Sequence, residues 1–178
     1  RATARACGCF ERMSFRLCDG LSGIAPEEVD ALVIAGMGGE TITNILEAAP
    51  WVKEKDFPII LQPMSTQAEL RGWLWRNGFL CLREKTVLEG ETLYSIILAR
   101  QGGAVPMTPA EEWAGRQYPG MEDPLRGLLL DHLLGRVRRA LDGMARSRAP
   151  AEARRRELEQ VLEGLMEMRK EWDAWQQR

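Results

Sequence analysis

Residues 31–46 constrain the fold of this chain more than any other stretch, because an apolar run there meets three glycines and then a helical pattern. The run ALVIA at 31–35 follows an acidic residue and is typical of a strand buried on both faces of a sheet. Gly36, Gly38 and Gly39 predict a sharp turn at which a ligand can approach bare backbone. The glycines thus lie between a strand and a helix, where open α/β sheets bind ligands. A tight turn without a ligand explains these residues at least as well when they are considered alone.

Length and composition indicate an ordinary globular protein. The 178 residues suffice for one domain with an appendage or for two small domains. Apolar residues make up 45% of the chain and charged residues 28%, both typical of globular proteins. No apolar run is long enough to span a bilayer, and nothing resembles a signal peptide. We therefore expect a cytoplasmic protein that binds no membrane.

The cysteines and the single histidine argue against a metal site and against nucleophilic catalysis. Cys7, Cys9, Cys18 and Cys81 contain no C-x-x-C pair. Cys18 and Cys81 fall within predicted strands, which favours buried free thiols. His132 is the only histidine available to a Ser-His pair, a Cys-His pair or a metal. We expect no metal in this protein.

Two further strand patterns end in polar or turn-forming residues. Residues 14–18 alternate and end in Asp19-Gly20, which predicts a strand followed by a turn. Residues 57–61 predict a buried strand that ends in Gln62-Pro63. Asp19 can accept hydrogen bonds from a ligand or close an Asx-turn, and on the residues alone we favour the turn.

A helix and a hairpin complete the first hundred residues. Ser65 or Thr66 is expected to cap the helix, with Glu69 in position to complete a capping box. Residues 79–88 and 92–99 are strand-like and are separated by a glycine-bearing turn, which predicts a β-hairpin.

The remaining chain is helical in pattern. Apolar residues recur at alternating spacings of four and three on both sides of a short break at 147–150, which predicts two helices folded back on each other. An antiparallel pairing in which facing positions sum to 302 puts Gly127 opposite Trp175. We expect three parts, which are a partial α/β domain at 1–103, a linker with a short helix at 104–124 and a helical hairpin at 125–178.

Arginines are concentrated on the outer faces of this hairpin. An arginine fork matches phosphate oxygens, so the hairpin tip could follow a nucleic-acid backbone. A solvated helix surface paired with acidic neighbours is the interpretation we favour on the residues alone. The arginines are Arg136, Arg138, Arg139, Arg146, Arg148, Arg154, Arg155 and Arg156.

Five segments of the chain form one recognisable set. They are residues 16–21 (RLCDGL), 30–39 (DALVIAGMGG), 59–64 (IILQPM), 70–79 (LRGWLWRNGF) and 91–99 (ETLYSIILA). Their order and spacing closely resemble the bacterial tRNA (adenine-22-N1)-methyltransferase family. The resemblance implies a class I, Rossmann-like α/β fold that uses S-adenosyl-L-methionine, methyl transfer to N1 of a tRNA adenine, and a C-terminal coiled coil that helps to hold tRNA.

The resemblance also implies roles for individual residues. The turn that holds the cofactor's adenine is matched by Asp19, Gly20 and Leu21. The loop at the cofactor's methionine end is matched by Ala35, Gly36, Met37 and Gly38. Gly36, Met37, Gly38 and Gly39, together with Gln62 and Pro63, are candidates for the methyl-transfer and target-base site. The ring nitrogen N1 already carries a lone pair, so the protein mainly flips, aligns and desolvates the base, and we name no general base.

The chain departs from the family in one respect. The family opens with a strand and a glycine-rich cofactor loop, and neither is present before residues 14–18. About two β-α units, or roughly 60 residues, are expected to be missing there. In the family's sheet the missing strands lie between the predicted strands at 14–18 and 31–35. We therefore expect an incomplete, inactive fragment with weak or no cofactor binding.

Two other functions compete with this one. A noncatalytic RNA- or protein-binding module could be built on the basic coiled coil, with the α/β part as its support. A nicotinamide-binding oxidoreductase is disfavoured, because Gly36-Met37-Gly38-Gly39 lacks the third glycine of the dinucleotide fingerprint. The oligomeric state is open, with a monomer expected.

Overall fold

A computed structural model describes residues 1–146 and 152–177 of the chain. The described strands are β1 (Leu32–Gly38), β2 (Ile59–Ser65), β3 (Phe79–Glu89) and β4 (Thr92–Gln101). The described helices are α1 (Ala2–Ala6), α2 (Gly39–Glu47), α3 (Gln67–Arg76), α4 (Pro109–Ala114), α5 (Arg126–Arg146) and α6 (Glu152–Gln176). The predicted break at 147–150 lies outside the described residues.

The four strands form one mixed sheet in the order β1-β2-β4-β3. β1 and β2 are parallel, and β4 is antiparallel to both of its neighbours. The predicted hairpin is confirmed, since Glu89 pairs with Thr92 across a two-residue turn. Because parallel strands end at the same edge of a sheet, the glycines after residue 35 and Gln62 come together there. This arrangement confirms the α/β class.

One face of the sheet is covered by α2 and α3. Alternate strand residues such as Ile34, Leu61 and Ile97 point into this core, where Phe79 and the α3 residue Leu74 are also fully or almost fully buried. The spacing of Leu70, Trp73 and Leu74 predicts the apolar face of this helix, and the prediction is confirmed because α3 buries all three side chains. This packing fixes the strand ends relative to the start of each helix.

The predicted strand at 14–18 is wrong. Residues 14–18 join no sheet, and the side chain of Leu17 is fully exposed. Cys18 is exposed as well, contrary to the buried thiol expected there, whereas Cys81 is half-buried. The physical reason is the lack of a neighbour: within the described residues β1 pairs with β2 alone, and an alternating segment without a hydrogen-bonding partner does not form a strand.

The helical hairpin has its own buried cluster, which includes α4. The predicted seam is confirmed, because Leu130, Val137, Val161 and Leu165 are all buried between α5 and α6. Thr108, Pro109 and Glu111 predict a capped helix start, which is confirmed since the Thr108 hydroxyl accepts a hydrogen bond from the backbone N–H of Glu111.

The predicted register of the hairpin is wrong by two to three residues. A Cβ added to Gly127 would lie 3.4 Å from Nε1 of Trp172, rather than against Trp175. Asp131 pairs with Arg169 at 2.8 Å, which fits the same register. Trp175 instead meets Trp172 edge to face, with ring centroids 6.4 Å apart.

Candidate methyl-transfer site

The end of β1 is more extended than its glycines predict. The strand continues to Gly38 and α2 begins at Gly39, so the predicted strand-to-helix turn lies at Gly38-Gly39 and not at Gly36, and pairing with β2 becomes irregular around Met37. Gly36 has a φ of 75°, a left-handed conformation that side chains disfavour. A Cβ at Gly36 would meet nothing within 4 Å, so this backbone faces open space.

Gln62 joins the two strand ends. The backbone N–H of Gly36 donates a hydrogen bond of 2.8 Å to Oε1 of Gln62. Pro63, the next residue of β2, is buried and pairs with Met37, whose side chain is 42% exposed. The glycine segment and the Gln62-Pro63 segment are therefore parts of one site, in which Gln62 fixes the unusual conformation of Gly36.

The start of α2 lies against the start of α3. A Cβ at Gly39 would lie 2.4 Å from the carbonyl oxygen of Thr66, so only glycine fits there. Thr66 has a left-handed φ of 49°, and its hydroxyl accepts a hydrogen bond from the N–H of Glu40 at 3.2 Å. The capping box predicted between Thr66 and Glu69 is therefore wrong, because α3 has no side-chain cap. Sequence reasoning missed this contact, since the same threonine was assigned to its own helix.

Asp19, Gly20 and Leu21 lie apart from these strand ends. Asp19 and Gly20 are exposed, and a Cβ at Gly20 would lie 3.2 Å from Ile45, in the second half of α2. Leu21 is partly buried against the sheet core. No described hydrogen bond joins Asp19 to the ends of β1 or β2.

An ion pair holds the segment that carries Asp19. Arg16 pairs with Glu28, and the hydrogen bond from Arg16 lowers the pKa of the Glu28 carboxyl to about 2. Arg16 also donates to the carbonyl of Gly23. These contacts tie the segment that carries Asp19 to the loop before β1, and residues 14–18 beside it have no strand partner.

The hairpin arginines differ between the two helices. All of those described are exposed. On α6, Arg154 pairs with Glu157 at 2.6 Å and Arg155 with Glu159 at 2.9 Å, as the solvated-surface interpretation expects. The third α6 arginine, Arg156, donates only a long bond to a backbone carbonyl. On α5, none of Arg136, Arg138, Arg139 and Arg146 pairs with a described carboxylate. Arg148 lies outside the described residues.

Neither a metal centre nor a membrane span is found in the described part of the chain. Residues 1–146 and 152–177 contain no group of three or more potential metal-binding side chains. None of their helices is both long and apolar enough to cross a bilayer.

Comparison with known proteins identifies the α/β part. A family model described as "Methyltransferase domain" matches residues 1–97, which include β1, β2 and the whole strand-end site. The tRNA (adenine(22)-N(1))-methyltransferase of Bacillus subtilis is 35% identical over 95 residues, which are 53% of this chain and 40% of that protein. The chain therefore aligns with less than half the length of this curated relative.

Solved structures share the fold over nearly the whole chain. A protein from Listeria monocytogenes serotype 4b superimposes with a TM-score of 0.78 at 24% identity, covering 93% of this chain and 74% of the other. M. capricolum TrmK in complex with S-adenosyl-homocysteine superimposes with a TM-score of 0.72 at 17% identity, covering 95% of this chain and 74% of the TrmK chain. These likenesses extend through the helical hairpin and confirm the expected fold class.

Proposed function

We propose that this chain, which belongs to the methyltransferase domain family, is part of an enzyme that transfers a methyl group from S-adenosyl-L-methionine to N1 of a tRNA adenine. The match to the methyltransferase family model supports methyl transfer as the type of reaction. The adenine at position 22 is proposed from the similarity to the Bacillus subtilis enzyme. The single structural observation that supports the site is the Gly36–Gln62 hydrogen bond, which joins the two most characteristic segments at one sheet edge.

The described residues fit one wall of a cofactor site. The backbone at Gly36 faces open space at the carboxyl end of β1, where Ala35 and Met37 are also exposed. Ala35, Gly36, Met37 and Gly38 would hold the methionine end, and Asp19, Gly20 and Leu21 the adenine end. The latter three would first have to approach the strand ends, because Gly20 now packs beside Ile45.

The chemistry places few demands on side chains. When bound, the cofactor supplies a methyl group activated by its sulfonium. Adenine N1 carries a lone pair and would lose no proton on methylation, so this chain would not need to supply a general base. The chain's task is to align the base and to exclude water. Gln62 contributes by fixing the strand end, and exposed Met37 is positioned to pack against a base.

We further propose that the chain acts as three parts, at 1–103, 104–124 and 125–178. Two separate buried clusters support this division, although α4 packs into the cluster of the hairpin. We propose a cytoplasmic enzyme with tRNA as its partner. The noncatalytic-module alternative is not favoured, because the methyltransferase match covers residues 1–97, which are most of the α/β part.

Methyl transfer from labelled cofactor to unmodified tRNA tests the proposal, with the full-length protein and with mapping of the modified nucleotide. We expect label at N1 of adenine 22. Label at another nucleotide would refute the position, and the absence of label in any RNA would refute the activity. Cofactor titration of the 178-residue chain should show weak or no binding, because Gly20, proposed for the adenine end, packs beside Ile45 and away from the strand ends. Tight binding would contradict that expectation.

A further inference from the structure

A small cleft lies between the first turn of α3 and the helical hairpin. Its volume is about 60 Å³. The hairpin side contributes two arginines and a leucine, and α4 contributes an indole ring. The lining residues are Thr66, Gln67, Ala68, Glu69, Trp113, Leu133, Arg136 and Arg154.

Arg136 is held in place at this cleft without a carboxylate partner. Its guanidinium lies 5.3 Å from the centroid of the half-buried Trp113 ring, which is a cation–π contact. Arg136 makes no ion pair with any residue that the structure describes, and its N–H donors are available to a ligand. Arg154 is paired with Glu157, and Glu69 adds one negative charge to the cleft. Arg136 is therefore the cleft arginine that has no ion-pair partner among the described residues.

The cleft adjoins the candidate methyl-transfer site. Thr66 lines the cleft, and its carbonyl and hydroxyl oxygens would both lie within 3.0 Å of a Cβ at Gly39. The same hydroxyl accepts the hydrogen bond from Glu40 at the start of α2. One residue thus separates the strand end, where the target base would be aligned, from the cleft that presents Arg136.

We propose that this cleft binds a phosphodiester group of the tRNA strand that carries the target adenine, with Arg136 as the main contact. This inference rests on the proposed function. A flipped base is accompanied by its own backbone, so a phosphate has to pass close to the site that holds the base. A guanidinium held over an indole keeps the N–H groups at its edges available, and their fork geometry suits phosphate oxygens. The tRNA strand then leaves the site along α5, where the arginines have no described carboxylate partners, and not along α6.

The test compares Arg136→Ala with Arg100→Ala in the full-length protein. Arg100 is a matched control, because it is exposed, loses the same charge and lies at the opposite end of the sheet, where Ala99 pairs with Ile59. The measurements are the dissociation constant for unmodified tRNA over a range of salt concentrations, and KM and kcat for methyl transfer. Arg136→Lys is the second variant, since it keeps the charge but not the stacked fork.

We expect Arg136→Ala to weaken tRNA binding about tenfold. The slope of the logarithm of the binding constant against the logarithm of the salt concentration should become less steep by about one. KM for tRNA should rise and kcat should stay unchanged. Arg136→Lys should retain most of the salt slope and lose part of the affinity. Equal behaviour of Arg136→Ala and Arg100→Ala, in an enzyme that methylates tRNA, would overturn the inference alone. A wild-type protein that neither binds nor methylates tRNA would overturn the proposed function and the inference with it.

Discussion

Replacing Arg71 with methionine tests the main polar contact inside the protein. Arg71 lies on α3 with 1% of its side chain exposed. Its guanidinium donates to both carboxylate oxygens of Glu84 at 2.8–3.0 Å. It also donates to the backbone carbonyls of Glu112 and Trp113, each at 2.9 Å. Methionine fills much of the same volume but supplies none of these hydrogen bonds.

The expected loss of stability follows from the polar groups that stay buried without a partner in Arg71→Met. Glu84 has 11% of its side chain exposed and would keep a charge without a partner. Breaking such a buried pair on one side costs about 3–5 kcal/mol. Each carbonyl left without a donor costs about 1–3 kcal/mol more, although these terms are not additive. We expect the free energy of unfolding to fall by about 4 kcal/mol.

Urea unfolding of Arg71→Met and of Arg100→Met measures this difference. Arg100 pairs with Asp56, and both side chains are at least half exposed. An exposed pair of this kind contributes about 0–1 kcal/mol. The urea concentration at the unfolding midpoint should fall strongly for Arg71→Met and little for Arg100→Met. The dependence of the unfolding free energy on urea concentration should be the same for both variants. A difference below about 1 kcal/mol between the two variants would refute the reasoning.

Three further outcomes are expected. Gly39→Ala should lower the free energy of unfolding by about 1–3 kcal/mol, because the added Cβ would lie 2.4 Å from a carbonyl oxygen. Gly143→Ala is the control, since a Cβ at Gly143 meets nothing within 4 Å and should not lower stability. Thermal unfolding of both variants measures the difference. A thiol reagent at pH 8 should label exposed Cys7 well before Cys81, because burial raises the pKa of the Cys81 thiol to about 12; equal rates would contradict this. The Glu28 carboxyl should titrate near pH 2 by NMR. Since its folded pKa is lowered, its contribution to stability is present above the unfolded pKa of about 4.5 and is lost as the pH falls towards 2.

Repeating patterns made much of the fold predictable. The seam of α5 and α6 follows a regular spacing, and burial of that stripe requires no information from elsewhere in the chain. The β-hairpin and the α4 capping box depend likewise on residues close in sequence. Residues 14–18 carry an alternating pattern but form no strand, because a strand also needs a neighbour with free hydrogen-bonding groups.

The candidate site was predictable in its residues but not in its contacts. The position of glycines after one strand and of Gln62 after the next follows from the parallel order of the strands. The role of Thr66 could not be predicted in this way, because its hydroxyl accepts a hydrogen bond from the first turn of α2 and not from α3, the helix that follows it in the chain. The register of the hairpin also depends on how the two indoles at its end fit together, which spacing alone leaves undetermined.

The buried arginines show most clearly why local pattern is insufficient, since arginine normally lies at the surface. Arg126 of α5 donates to the carbonyls of Ala114 and Gly115, directly after the two carbonyls that Arg71 holds. Burial lowers the pKa of Arg126 to about 10, so it stays charged at neutral pH. Four consecutive carbonyls at the end of α4 are thus bound by one arginine from α3 and one from α5, which fixes the hairpin against the sheet domain. Trp113 lies within this stretch, and its ring supports Arg136. The geometry of the cleft therefore depends on two buried charges that no helical spacing reveals.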